Sequence, residues 1–253
     1  MAVYAFIPAR VGSERVPGKN WTPMLGGRSL VDIAVQCASL AGVDEIVVST
    51  DAATARYGLP LGVKIHARKP EHATDTAQIE DAILDWGTCR ELKPGDTIVL
   101  LQPTSPLRRP STVRRCIEAR AATVTLDTRQ PFRGVLFDLD ESTGLAERGH
   151  YERPRSQDIE PQAEESGCVY AFPWHWIEGM RTRLPTPYTA VVTPWWEAFE
   201  IDTPEDVEVM RALWPVFGGR PGSRRSWCSR TCPSGWSGCE LARRVTRWCG
   251  RRP

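Results

Sequence analysis

The sequence predicts an α/β protein built on a mostly parallel, doubly wound sheet. Three observations lead there. Short apolar runs of strand length alternate with longer amphipathic stretches through the first half of the chain. Polar, chemistry-bearing segments follow directly on several of those runs, where an open parallel sheet places its ligand crevice. With 253 residues, 41% of them hydrophobic and 25% charged, the chain has enough material for one large core and the make-up of an ordinary globular protein.

The first strand is Val3–Ile7, and ARVGSERVPGKN follows it. Glycines there permit close backbone approach, while Arg10, Arg15 and Lys19 supply charge for a triphosphate. Five residues stand between Gly12 and Gly18 and Lys19 is followed by Asn20, so the loop fits neither the NTPase P-loop nor the dinucleotide fingerprint. A helix over Ser29–Leu40 leads to a second strand, Glu45–Ser49, and then to TDAA. A third strand, Val63–His66, precedes a helix over Thr76–Leu92. The fourth strand, Thr97–Leu101, runs into QPTSPLRR, where prolines fix the backbone and Gln102 offers an amide. After a fifth strand, Ala122–Leu126, the alternation lapses around 129–170. FDLDESTGL has hairpin turn chemistry there, which marks an insertion or small lobe. Another short strand then precedes WEAFEID. Asp202 is expected to end a strand, with Thr203 as N-cap, Pro204 in the first helical turn and Glu205 and Asp206 at the positive end of that helix. An aspartate before such a cap is a hard oxygen ligand, suited to a magnesium ion that keeps most of its waters.

IPARVGSERVPGKN, STDAA, DTAQIEDAI, LQPTSPLR, RSQD, SGCVYAF and FEIDTPEDVE together resemble, in order and spacing, the CMP-sialic acid synthetase (acylneuraminate cytidylyltransferase) family. The resemblance extends to its pseudaminate, legionaminate and Kdo relatives and covers roughly residues 3 to 213. It implies a Rossmann-like sheet of the nucleotide-diphospho-sugar transferase type with a small dimerisation insert at about 129–165. It also implies a reaction: CTP and an acidic sugar give the CMP-sugar and pyrophosphate, with Mg²⁺, in a homodimer. The residues it singles out for the nucleotide are Ala9, Arg10, Gly12, Ser13, Lys19, Asn20, Asp75 and Gln102. Gln102, Arg155 and Gln157 fall to the acceptor. Asp202 is implied as metal ligand with Asp206 second, and Arg10, Lys19 and Asp202 as the catalytic group. The chain departs from the family at Glu14-Arg15, where a Lys-Gly pair is common, and at Glu164-Glu165, where an arginine sometimes stands. Two other readings stay open: an acceptor that is a non-sugar acid such as a phosphonate, and a nucleotide-binding protein without turnover.

Charge and cysteine divide the chain. From Pro215 to Pro253 nine arginines face one glutamate, a balance of +8, which leaves −7 for residues 1–214 out of the total of +1. The reading therefore takes 1–214 as the catalytic domain and 215–253 as an Arg/Cys/Trp-rich tail, disordered or non-native. The spacing of Cys228, Cys232, Cys239 and Cys249 lacks the paired C-x2-C of zinc sites. The acidic body argues against a nucleic-acid partner. Cys37, Cys89, Cys116 and Cys168 are expected to be reduced, buried thiols. His66, His72, His150 and His175 show no metal spacing, and Trp195 and Trp196 read as core or dimer contacts. No apolar run approaches membrane-spanning length and the N-terminus lacks a signal-peptide pattern, so a cytoplasmic location with no membrane partner is expected.

Overall fold

VYAFIP forms β1, Val3–Pro8, and its side chains alternate between two buried faces. Ala5 and Ile7 join one apolar cluster while Phe6 joins another, the period of two that a strand covered on both sides requires. This computed structural model describes residues 1–52, 58–127, 137–140, 143, 145–148 and 162–218. The other strands are β2 (Glu45–Thr50), β3 (Lys64–Ala67), β4 (Thr97–Leu101), β5 (Ala121–Asp127), β6 (Phe137–Asp140), β7 (Leu145–Arg148), β8 (Gln162–Pro173) and β9 (Thr189–Thr193). The helices are α1 (Leu30–Ala41), α2 (Ile79–Cys89), α3 (Pro110–Ala119), α4 (Trp174–Met180) and α5 (Pro204–Phe217).

A seven-stranded sheet has the order β3-β2-β1-β4-β8-β5-β9. Every neighbouring pair is parallel except the two made by β8, which runs antiparallel to β4 and β5. One face packs on α1 and α3 through Val31, Ala34, Ala38, Val113 and Cys116. The other packs on α2 and α4 through Ile83, Trp86, Trp174 and Ile177. A third cluster joins Leu30 and Ile33 of α1 to Val207 and Met210 of α5. Burying apolar side chains of this size on both faces is the main stabilising contribution, about 1.5–3 kcal/mol for each large one.

The expected strands hold within a residue at each end, whereas four other expectations change. The second helix begins at Ile79 and ends at Cys89, shorter than Thr76–Leu92; Gln78 is its extended N-cap, and a separate 3-10 turn covers Pro70–His72. The expected insert overlaps β8, since Gln162–Glu165 pairs with Val124–Asp127 of β5 within the main sheet. Phe137–Asp140 and Leu145–Arg148 do pair antiparallel, β6 on β7, as a separate two-stranded sheet. Asp202 does not end a strand: Phe199–Asp202 follows a 3-10 turn at Trp195–Ala198 and is tied to the loop after β4 by Ile201 N–H to Thr104 O at 2.9 Å. Cys89 is exposed, unlike buried Cys37, Cys116 and Cys168. Trp196 is a core residue stacked on Phe217, centroids 4.7 Å apart, while Trp195 is exposed.

Met1–Gly218 is one compact unit, and residues 219–253 lie outside the described part. α5 continues past Leu213 through Pro215 to Phe217. Among the described residues no helix is long and apolar enough to cross a membrane.

Candidate functional site

From β1 the chain builds the sheet outward through β2 and β3, and β4 then starts on the other side of β1. The strand order reverses between β1 and β4, and a crevice opens there beyond the carboxyl ends of the strands. A cleft of about 680 Å³ occupies that position. The loop after β1 contributes Arg10, Ser13, Glu14, Arg15, Lys19 and Asn20. Arg68 comes from the segment after β3, Asp75 and Gln78 from the approach to α2, and Gln102 and Thr104 from the loop after β4. Glu200 and Asp202 close it from the segment before α5, and Arg183 from the connection after α4.

Local structure explains why these groups converge. Gly18 has φ +67°, the left-handed conformation that turns the first loop back so that Trp21 and Thr22 N–H both donate to its carbonyl. Lys19, nearly buried, donates from Nζ to Ile201 O at 2.8 Å and to Asp202 Oδ1 at 2.9 Å, joining segments 183 residues apart. Arg15 Nη2 lies 3.3 Å from the same carboxylate oxygen. Arg10 pairs with Asp75, and that guanidinium holds the Asp75 carboxyl below its ordinary range. After β4, buried Arg108 donates to Cys168 O at 2.6 Å and to Gln102 O at 2.8 Å, pinning the amide-bearing residue to β8. Gly167 (φ +68°) lets β8 pass Glu200: a Cβ there would sit 2.5 Å from Glu200 Oε1. Glu200 accepts from Ser105 Oγ at 3.1 Å, and burial, with the Asp202 charge adding, pushes its carboxyl up.

Arg10, Ser13, Lys19, Asn20, Asp75, Gln102 and Asp202 thus share one cleft. Three expected residues stand apart from its lining. Ala9 is held in the sheet edge, its N–H on Ser49 O at 2.8 Å and its carbonyl accepting from Trp21 Nε1. Gly12 has open space around it. Asp206 is the third residue of α5 and completes a capping box with Thr203. Its Oδ2 accepts from Asp202 N at 2.9 Å and Thr203 N at 2.7 Å; burial pushes that carboxyl up, but those two N–H groups hold it below its ordinary range. Arg155 and Gln157 lie outside the described residues. The cleft also holds Arg68, Arg183 and Glu200, which the sequence reading passed over. Arg68 directly follows the third strand, the position already informative after strands one, two and four. Glu200 is two residues before Asp202, in the same acidic motif.

The donor set fits a hard cation in one specific way. Asp202 presents a half-exposed carboxylate to the cleft, and no group of three His, Cys, Asp or Glu side chains among the described residues forms a cage. That suits an ion that takes one protein oxygen and completes its shell with water and phosphate oxygens. Asn20 and Thr104 line the cleft, and their Oδ1 and Oγ1 atoms are buried without a hydrogen-bond partner.

Comparison with known proteins agrees with this geometry. The sequence model of the cytidylyltransferase family matches residues 4–133. The CMP-N,N'-diacetyllegionaminic acid synthase of Legionella pneumophila is 37% identical over 128 residues, covering 49% of this chain and 55% of that one. The 8-amino-3,8-dideoxy-manno-octulosonate cytidylyltransferase of Shewanella woodyi is 38% identical over 119 residues, 46% of each chain. The chain thus spans about half the length of the curated relatives it matches. Among solved structures, a CMP:2-keto-3-deoxy-manno-octonic acid synthetase complexed with CTP superposes with TM-score 0.55 at 19% identity, covering 85% of this chain and 99% of the other. That likeness establishes a shared fold.

Proposed function

The chain belongs to the cytidylyltransferase family, and from that premise we propose that it transfers CMP from CTP to an acidic sugar with release of pyrophosphate. The observation that carries the reading is the meeting of Lys19 and Asp202 in one cleft at the β1/β4 reversal. The names of the two relatives, one legionaminate-directed and one octulosonate-directed, support a sugar-acid acceptor.

In this reading Arg10, Arg15, Lys19 and Arg68 gather around the triphosphate, and Ser13 and Asn20 hydrogen-bond it. The acceptor hydroxyl oxygen attacks the α-phosphorus in line and gives up its proton to solvent, while the bond from that phosphorus to the pyrophosphate oxygen breaks and pyrophosphate leaves. Such a transfer needs positioning and charge neutralisation more than covalent help. Asp202 would hold Mg²⁺, which when bound supplies positive charge to the phosphate oxygens; Asp206 serves that ion by fixing the backbone beneath Asp202. Lys19 keeps the Asp202 carboxylate in place and neutralises the departing pyrophosphate. Gln102, with Arg155 and Gln157, orients the acceptor. The β6–β7 hairpin belongs to a dimer contact, which sedimentation would register as twice the chain mass. The reaction runs in the cytoplasm, consistent with the unpaired Cys37, Cys89, Cys116 and Cys168.

Calorimetry with CTP, UTP, ATP and GTP in the presence of Mg²⁺ tests the nucleotide half of this reading. CTP is expected to bind most tightly, and Lys19→Met to weaken it by at least about tenfold through loss of a charged partner. Equal affinity for all four nucleotides, or none for CTP, contradicts it.

A further inference from the structure

Arg68 is held in the cleft by a buried hydrogen-bond chain that crosses two strands and reaches a helix. Its Nε donates to Ser49 Oγ at 3.1 Å, its Nη2 to Ser49 O at 3.1 Å, and its backbone N–H to Thr50 O at 2.8 Å. The fully buried Ser49 hydroxyl also meets His66 Nδ1 at 2.9 Å. On the other side of the ring, His66 Nε2 lies 3.2 Å from Asp85 Oδ2 on α2, and Asp85 Oδ1 pairs with Lys69. The β2–β3 register sets this up, since Ser49 and His66 are direct partners across the two strands.

Counting donors fixes where the hydrogens lie. Burial pushes the Asp85 carboxyl up, but hydrogen bonds from Lys69 and His66 hold it below its ordinary range, so it is ionised and only accepts. Nε2 of His66 must therefore carry a hydrogen. Nδ1 of the neutral ring is then bare, and the Ser49 hydroxyl donates to it. Both Ser49 lone pairs remain for Arg68. The donors run in one direction: Arg68 to Ser49, Ser49 to His66, His66 to Asp85.

We propose that His66, as the neutral Nε2–H tautomer, is a positioning residue that holds Arg68 in the nucleotide cleft through Ser49, and that protonating it releases Arg68. The groups facing the ring are Asp85 from α2, Ser49 from β2, the Phe6 ring of β1 at 6.2 Å, and Arg68 and His72 from the segment after β3, with Lys69 behind Asp85. Burial lowers the His66 pKa, Asp85 opposes that, and Arg68 and His72 add to it. The ring is thus neutral at pH 7 and charges at a pH below the ordinary value of about 6.5. Nδ1–H then points at Ser49, whose own hydrogen loses its acceptor. Two cations, imidazolium and guanidinium, converge on one hydroxyl oxygen. The proposal rests on the CTP reading only for the identity of the ligand that Arg68 meets.

The test measures affinity for CTP and for inorganic pyrophosphate by calorimetry across the range from about pH 5 to 8, beside the His66 tautomer by ¹⁵N NMR. Asn in place of His66 presents an acceptor near the Nδ1 position but does not titrate; Leu offers neither property. Near neutral pH, His66→Asn is expected to bind close to the parent and His66→Leu about tenfold more weakly, through loss of a charge-linked hydrogen bond. On acidification the parent should lose affinity faster than His66→Asn, by up to about tenfold per pH unit over the His66 titration. Comparison with His66→Asn removes the protonation of the anions themselves. An Nδ1–H tautomer, or identical pH profiles in parent and His66→Asn, overturns the proposal. If pyrophosphate shows the His66-dependent profile while CTP fails to bind, the positioning role holds and the CTP reading falls.

Discussion

At the residue scale, Lys19 ties the first loop to the segment before α5, because its ammonium touches both the carbonyl before Asp202 and the Asp202 carboxylate. Removing the charge with Lys19→Met should reduce kcat/KM by about 10²–10³-fold, the usual cost of one preorganised donor at a phosphoryl or oxyanion centre. Steady-state pyrophosphate release checks this, and a change below about threefold would contradict it. Glu200 offers a pH-dependent prediction. Its pKa is raised by burial and the nearby Asp202 charge, so ionising it costs stability once pH rises above the ordinary glutamate range of about 4.3. Glu200→Gln keeps an acceptor for Ser105 and should melt higher than the parent at pH 7, with the difference closing near pH 4. Scanning calorimetry at the two pH values reads it. Most cleft residues were legible in the sequence because each follows a strand or precedes a capped helix. Arg68 was equally placed yet passed over, and Arg183 carries no motif. It is held 2.5 Å from Glu80 and over the Tyr170 ring at 4.6 Å, contacts that only the tertiary fold creates.

At the element scale, β1 and β4 were readable because both their faces are covered and VYAFI and IVLL are apolar without a break. β8 was not, and the reason is physical. Its second half, VYAFP, pairs with β4 and reads as a core strand. Its first half, QAEES, extends beyond the β4 pairing and has β5 as its strand partner; with Glu164 and Glu165 exposed it carries the composition of a loop. The register shift opposite Ala122 and Val124 and the left-handed Gly167 mark the change. The start of α2 was misjudged because Thr76–Gln78 continues an amphipathic pattern although Gln78 has the extended conformation of an N-cap. α5 shows the opposite case: T-P-E-D announces its start, and the capping box is present. Thr203→Ala should cost about 1 kcal/mol by urea unfolding. Asp206→Asn leaves one side-chain oxygen for the two N–H groups and should retain most turnover, whereas loss of all turnover in a folded Asp206→Asn protein would return Asp206 to the metal. Arg108→Leu removes two charge-assisted bonds that fix the Gln102 loop and should cost about 1.5–3 kcal/mol.

At the scale of the whole molecule, the sheet order places a reversal between β1 and β4, and the chemistry gathers there because the parallel strands end at that edge. The division of charge between 1–214 and 215–253 is visible in composition alone, and the described chain runs to Gly218 as one compact unit. A chain ending at Gly218 should fold and turn over like the parent; loss of the unfolding transition would assign residues 219–253 a structural part. The most direct measurement of the central claim is ³¹P NMR of the full chain with CTP, Mg²⁺ and, in separate samples, a nonulosonic acid, a Kdo-type 2-keto acid and a phosphonate. A CMP phosphodiester signal and stoichiometric pyrophosphate are expected with at least one sugar acid, both lost in Asp202→Ala. Product with the phosphonate alone, or product undiminished in Asp202→Ala, would contradict it.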